Sequence, residues 1–459
     1  MGIHGTMLSW FRSYLSGRRQ KVVLGGSESN INTLTCGVPQ GSVLGPLLFL
    51  IYINDLVENL ECDSFLFADD TSLFKRLHND SASAADSLNR DLEKINLWCQ
   101  KWLLHINVGK TKDILFSRKR QPSNLPPLYF NNLVIETVSS HKQLGIVLDA
   151  KLDWSEHIED ICSRSLQRIN AWKGLQFKLS RKHLETCLTL FVLPILDYGD
   201  ILYDNCSEAN KEDLEAVHIA AARVVTGAKR YTSHQLLYND TGWTPLRQRR
   251  EAHKLLKIYD IIHNHTPAYL KSILPRNLGA SIHRTRGASA NNFIPYRCKT
   301  ELLRKSFFPS SLNLFYTLPP SERSPSTRNA FRRTIKQSMK NTVTTYFYSG
   351  PRKFNVVLAQ MRLEFSDLND HLYSKGCVES PLCQCGHGNE TIHHYLFDCN
   401  APTYAIPRQR MLTNLRQLVP PNVLLNSQII LGGIEDGDVQ LNANICEAVC
   451  RFLLETNRF

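Results

Sequence analysis

Gly37-Val38-Pro39-Gln40-Gly41-Ser42-Val43-Leu44-Gly45-Pro46, running on through Leu47-Leu48-Phe49-Leu50-Ile51-Tyr52-Ile53-Asn54-Asp55, is the stretch on which the reading of this chain turns, together with Phe67-Ala68-Asp69-Asp70 downstream. The first ten residues hold three glycines and two prolines, which fixes a loop and lets backbone approach a ligand closely. Pro46 suits the first turn of a helix, where its missing N–H costs nothing, and that helix is expected to reach about residue 60. A helix N-terminus after such a loop favours phosphate. Residues 65–74 are apolar on both sides of two carboxylates and read as a hairpin with Asp69 and Asp70 near its turn.

Two adjacent carboxylates repel one another and so favour a cation. Mg²⁺ takes oxygen ligands, commonly one or two carboxylates plus substrate phosphates. Two such ions held about 3.5–4 Å apart can activate a 3′-hydroxyl and stabilise the leaving oxygen of a nucleotide. Asp69-Asp70, expected to be walled by Phe65, Phe67, Leu73 and Phe74, has the ligand chemistry for this. An Asp-Asp in a turn is more often only a turn; the Gly/Pro loop upstream shifts that balance.

Outward from this centre the chain changes character. Short strands are expected at 20–24 and 33–36, joined by a loop over 25–32, and further strands at 114–116, 128–130, 133–136 and 144–148. A long helix is expected at about 83–106, with Leu88, Leu92, Ile95, Cys99 and Trp102 on one face. From 154 to about 262 the pattern is helical, with breaks near 179–180, Gly199 and Gly227. The final helix, about 442–456, puts Ile445, Val449, Phe452 and Leu453 on its apolar side. Fold class is therefore α+β.

The 459 residues are 42% hydrophobic, enough for a sizeable core and against global disorder. The net charge of +12 is uneven. Residues 241–340 hold 19 Lys and Arg against four acids, Glu251, Asp260, Glu301 and Glu322, while the rest of the chain has 35 basic and 38 acidic residues. A basic segment in an otherwise balanced chain is the footprint of an anionic partner such as nucleic acid, set against a merely solvated face. Its Pro, Ser, Asn and Arg content over 275–330 reads as a loosely ordered connector. No apolar run approaches the ~20 residues needed to span a bilayer, and Met1-Gly2-Ile3-His4 has no signal-peptide character.

Four of the thirteen cysteines and three histidines fall within residues 377–399. Cys383-x-Cys385 followed by Gly386 makes a tight knuckle, and His394 and Cys399 supply a second pair on a helical turn. Four nitrogen and sulfur ligands suit tetrahedral structural Zn²⁺. Because Cys-x-Cys departs from the commoner Cys-x₂-Cys, Cys377, His387 or His393 could replace one of them. The plain alternative is a group of buried thiols beside a surface histidine.

GVPQGSVLGPLLFLIYIND over 37–55, followed by Phe67-Ala68-Asp69-Asp70, resembles motifs B and C of reverse transcriptases from non-LTR (LINE-like) retrotransposons. The resemblance implies a partial right-hand polymerase palm, an antiparallel sheet plus helices, over 1–150. It implies an α-helical thumb and extension over 151–274, a basic connector over 275–345, a zinc-binding region over 346–410 and a helical tail over 411–459. It implies that Gly37, Pro39, Gln40 and Gly41 meet nucleotide and template, and that Asp69 with Asp70 holds Mg²⁺ (or Mn²⁺). Trp98 through Asn107 and Lys110-Thr111 resemble motif D, which makes Lys110 the candidate general acid. Gln143-Leu144-Gly145, with Trp154 and His157, resembles the primer-grip region. Glu390-Thr391 through Cys399 is similar to the family's Cys-Cys-His-Cys element.

The implied partners are an RNA template, a DNA primer or target and deoxynucleoside triphosphates, in a nuclear or cytoplasmic ribonucleoprotein with no membrane partner. The family's motif A aspartate has no counterpart: the single acid before Asp55 is Glu28. The chain is therefore expected to begin after motif A and to have little activity alone, the alternative being a non-catalytic nucleic-acid-binding remnant.

Overall fold

The computed structural model describes residues 3–77, 81–119, 125–276, 293–323, 327–339, 343–435 and 437–459. It is a mixed helix-and-sheet protein made of two compact units, residues 1–141 with 149–152, and residues 142–148 with 153–459.

In the first unit, helix Leu44–Ile53 and helix Ser81–Trp102 frame a core of Ile53, Leu56, Leu92, Ile95, Cys99, Phe130 and Ile135. The hairpin Asp63–Phe67/Asp70–Phe74 pairs Phe67 with Asp70 and Phe65 with Ser72, and turns at Ala68-Asp69. Cross-strand partners share a face. Leu66 and Leu73 therefore point to the core, and Phe65, Phe67, Asp70 and Phe74 point away from it.

Four expectations need adjusting over the residues up to 149. Helix Leu44–Ile53 stops seven residues short of Leu60. The strand–loop–strand expected over 20–36 is a nested hairpin, Arg19–Gln20 on Asn32–Thr33 and Val23–Leu24 on Ser27–Glu28, because Gly25 and Gly26 adopt positive φ and reverse the chain at once. The described strands form two-stranded pieces rather than one sheet, and one piece, Lys112–Asp113 on Glu136–Thr137, is parallel. The single strand expected at 144–148 is two, Ser140–Gln143 and Ile146–Asp149, reversed at Leu144-Gly145, both with positive φ.

The second unit is helical. Helices Ser155–Lys173, Arg181–Phe191, Glu208–Thr226 and Leu246–Ile262 build its first part; at positive φ, Gly227 ends the third of these and Gly199 opens the short helix Asp200–Tyr203. Ser180 and Ser207 cap their helices by accepting from the backbone N–H three residues on. Where a loosely ordered connector is expected, helices Phe307–Thr317 and Arg328–Ser338 pack on Leu246–Ile262. Leu312, Phe315, Phe331 and Ile335 bury against Leu255, Ile258 and Tyr259. Residues 277–292 of that segment lie outside the described residues.

The C-terminal core gathers Tyr346, Leu358, Met361, Tyr395, Leu396, Leu415, Ile445, Val449 and Phe452, with helices Pro402–Leu418 and Val439–Thr456 side by side. It is tied to the earlier helices by Asp240, buried between the guanidinium groups of Arg181 (2.7 Å) and Arg362 (2.6 Å). Breaking such a buried arrangement leaves a charge unpaired, which is costly.

Candidate active site and candidate metal centre

The Gly/Pro loop is held from both ends. Arg18 donates to the carbonyls of Cys36 (2.7 Å) and Gly37 (2.5 Å), and Ser42 Oγ donates to Pro39 O (2.7 Å) while accepting from Gly45 N (3.0 Å). Gly37 and Gly41 both sit at positive φ, +79° and +78°, where a side chain would be strained. Gly45 has no room for one: an added Cβ would lie 2.9 Å from Pro39 O. Gln40 and Gly41 are exposed at the loop's tip, and Pro39 is half-buried. Arg18 braces the loop from nearly twenty residues upstream, a contact that no local sequence pattern signals.

The carboxylate hairpin is anchored by Asp91 of the long helix. Its fully buried carboxylate accepts from the N–H of Glu61 and of Cys62 (2.8 Å each at the closer oxygen) and from Lys94 (2.9 Å). Burial works to raise its pKa, but those donors outweigh it and hold Asp91 below the usual carboxylate range. Asp55 accepts from the Trp98 indole at 3.2 Å, fixing the end of the 37–55 stretch against the same helix.

Asp69 and Asp70 are themselves exposed, and so are the rings expected to wall them: Phe65 is 54%, Phe67 65% and Phe74 44% accessible. This corrects the expectation of a dry surround. The strand alternation that puts Leu66 and Leu73 into the core turns Phe65, Phe67 and Phe74 out beside Asp70. Among the described residues no third ligating side chain joins Asp69 and Asp70 in a metal-sized group. Two carboxylates in solvent do not complete a cage for two ions. Lys110 is exposed in a turn, its N–H directed to Asn107 O (3.1 Å) and Oδ1 (3.2 Å).

The knuckle is different. Cys383, Cys385, His394 and Cys399 place their ligand atoms within 4.8 Å of one another. Cys383 Sγ lies 3.5 Å from Cys399 Sγ, and Cys385 Sγ lies 3.3 Å from His394 Nε2. A tetrahedral zinc ion with bonds of about 2.3 Å to sulfur and 2.0–2.1 Å to nitrogen sets neighbouring ligand atoms roughly 3.5–3.8 Å apart, so the four side chains fit the ion. The loop is shaped by Cys383 N bonding to Gly388 O and Gly386 N to Cys383 O, with Gly386 at positive φ. Residues His394–Asp398 form one wide helical turn that brings Cys399 back.

Burial pushes the Cys383 thiol up to about 12, while the N–H of His387 pulls Cys385 down. Of the residues that could have replaced a ligand, Cys377 is exposed and turned to Lys375 O, His393 pairs with Asp398 at 2.9 Å, and His387 contributes backbone to Cys385. Glu390, buried beside the knuckle, takes Arg458 through both oxygens (2.9 and 2.7 Å) and the N–H of Asn369 (2.8 Å). The penultimate residue thus clamps the site.

Residues 1–148 match the family described as reverse transcriptase (RNA-dependent DNA polymerase). That stretch is thus similar to a reverse transcriptase domain, and the relatives it matches are named as RNA-directed DNA polymerases of transposons and mobile elements. A probable RNA-directed DNA polymerase from transposon X-element of Drosophila melanogaster is 29% identical over 61% of this chain and 29% of its own length. The RNA-directed DNA polymerase from mobile element jockey of the same organism is 26% identical over 48% of this chain and 25% of its own. The polyprotein of the type-1 retrotransposable element R1 of Bradysia coprophila is 23% identical over 84% of this chain and 36% of its own. The chain thus spans only about a third or less of these curated relatives. No solved structure matches it. No helix among the described residues is long and apolar enough to cross a membrane.

Proposed function

We propose that this chain contributes template-directed nucleotidyl transfer, as part of an RNA-directed DNA polymerase of a non-LTR retrotransposon. The observation that carries this reading is the pairing of a braced Gly/Pro loop with an Asp-Asp hairpin inside a segment that matches the reverse transcriptase family. In this reading 1–150 is palm and the helices of 151–274 are thumb. Gly37, Pro39, Gln40 and Gly41 receive nucleotide and template, and exposed Lys110 protonates the leaving pyrophosphate. RNA template, DNA primer and deoxynucleoside triphosphates are the partners, in a nuclear or cytoplasmic particle. Asp69 and Asp70 contribute ligands for Mg²⁺ or Mn²⁺ but need a further carboxylate. Cys383, Cys385, His394 and Cys399 hold a structural Zn²⁺.

The exposure of the carboxylate hairpin favours one corollary: the chain alone extends primers poorly and acts mainly as a nucleic-acid-binding piece. Primer extension on an RNA template with Mg²⁺ or Mn²⁺ tests both. Extension at trace level that Asp69→Ala abolishes is expected. Robust synthesis would sink the corollary, and synthesis indifferent to Asp69→Ala would sink the assignment.

A further inference from the structure

The basic segment's charge divides into two populations. Arg249 is spent on Asp197, Arg250 and Lys254 on Asp204, Arg304 on Glu301 and Arg328 on Asp260. All but Arg304, whose partner lies in its own helix, tie one helix to another, and these cations are not free for a ligand. Helix Arg328–Ser338 carries a cluster of the other population on one face. Its inward residues, Phe331 and Ile335, are buried, with Phe331 stacked on Tyr259 at 4.2 Å, and Arg328 grips Asp260 through both nitrogens (2.6 and 2.7 Å). Thr327 caps its first turn. Arg332, Arg333 and Lys336 then fall on the opposite, exposed face with Asn329 and Gln337, and none of the three makes an ion pair among the described residues.

From this we infer that the outer face of helix Arg328–Ser338 is a phosphate-backbone contact for nucleic acid, with Arg332, Arg333 and Lys336 as its cations. Arginine forks match phosphate oxygens two at a time, and spacing of three and four residues stacks the three cations along one helix face. The helix has no acid of its own to offset them. An anionic membrane is the other surface that basic helices meet, but an interfacial helix needs an apolar face to insert. Here that face is already occupied by the packing of Phe331 and Ile335 on Leu246–Ile262. The anchoring by Arg328 and Phe331 makes the face rigid, so binding orders little besides three side chains. Contacts of this kind position nucleic acid without reading its sequence.

This inference rests on the reading that the chain handles nucleic acid, and the test separates the two. The salt dependence of binding to a mixed-sequence single-stranded RNA would be measured on the full, zinc-loaded chain. The comparison is with the triple variant Arg332→Gln, Arg333→Gln, Lys336→Gln, and with a charge-keeping variant, Arg332→Lys with Arg333→Lys. Loss of three phosphate contacts should flatten the slope of log affinity against log salt by about 2, at roughly 0.7 per contact on a single strand. The charge-keeping variant should restore most of it. A triple variant with an unchanged slope overturns the inference and leaves the general reading standing. A full chain that shows no salt-dependent RNA binding, or that prefers anionic vesicles, overturns both.

Discussion

The Asp69-Asp70 hairpin and the Cys383–Cys399 knuckle both bring acidic or thiol ligands together over a short span, yet only one of them is a finished site. At the knuckle four ligand atoms lie within 4.8 Å, two of the four residues are buried, and a carboxylate–guanidinium clamp from the chain's end holds the loop. At the hairpin the two carboxylates face solvent beside three exposed phenylalanines. Each is supported from within its own unit, and the difference lies in how much of the ligand set is covered. The knuckle's supporting residues are packed; the hairpin is supported on its inner face only, through Leu66, Leu73 and the Asp91 anchor. Ligand adjacency in sequence sets the chemistry; what covers the ligands decides whether the chemistry can run.

If that contrast is right, Cys399→Ser should have the largest effect. It removes one of four ligands from a buried centre, and thermal unfolding should show a loss on the order of 5 kcal/mol from the C-terminal core, since structural zinc contributes folding energy outright. Chelation of the wild type should mimic it. A variant as stable as wild type would mean that the core holds without the ion.

Asp91→Asn should come next, at about 2–4 kcal/mol, because it weakens three charge-assisted bonds to a fully buried carboxylate. Its pH signature follows from the depressed pKa. The stabilisation is present above the unfolded carboxyl value of about 3.9 and is lost as pH falls through the lower folded value. Wild type should therefore lose stability relative to the Asn variant as pH drops below about 4. Parallel curves for the two proteins would remove Asp91 from its anchoring role. The smallest effect belongs to Asp69→Ala, within about 0.5 kcal/mol, as for an exposed side chain outside any network. A larger loss would show that the hairpin turn is a structural element after all.

Much of this was legible in the residues. The 3.6 period of Ile445, Val449, Phe452 and Leu453 marked the last helix, and all four are buried. Apolar residues on both sides of the two carboxylates marked 65–74 as a hairpin turning at Asp69, and ligand spacing picked the four side chains that the fold brings together. The rest depended on long-range packing. Phe331 and Ile335 look like stray apolar residues in a basic, Pro- and Ser-rich stretch until Tyr259 and Leu255 supply the surface they need. Arg18 reaches across to Cys36 and Gly37, and Asp91 to Glu61 and Cys62, over separations that no local pattern encodes. The sequence showed apolar rings around the aspartates, but exposure is a property of the face they share, and register alone assigns that.

The most direct test of the contrast is a metal count on the intact chain by native mass spectrometry. One zinc ion per chain, retained in Asp69→Ala and lost in Cys399→Ser, with no second ion retained when Mn²⁺ is offered, is the predicted result. A chain without zinc, or one that holds Mn²⁺ tightly through Asp69 and Asp70 alone, would contradict it.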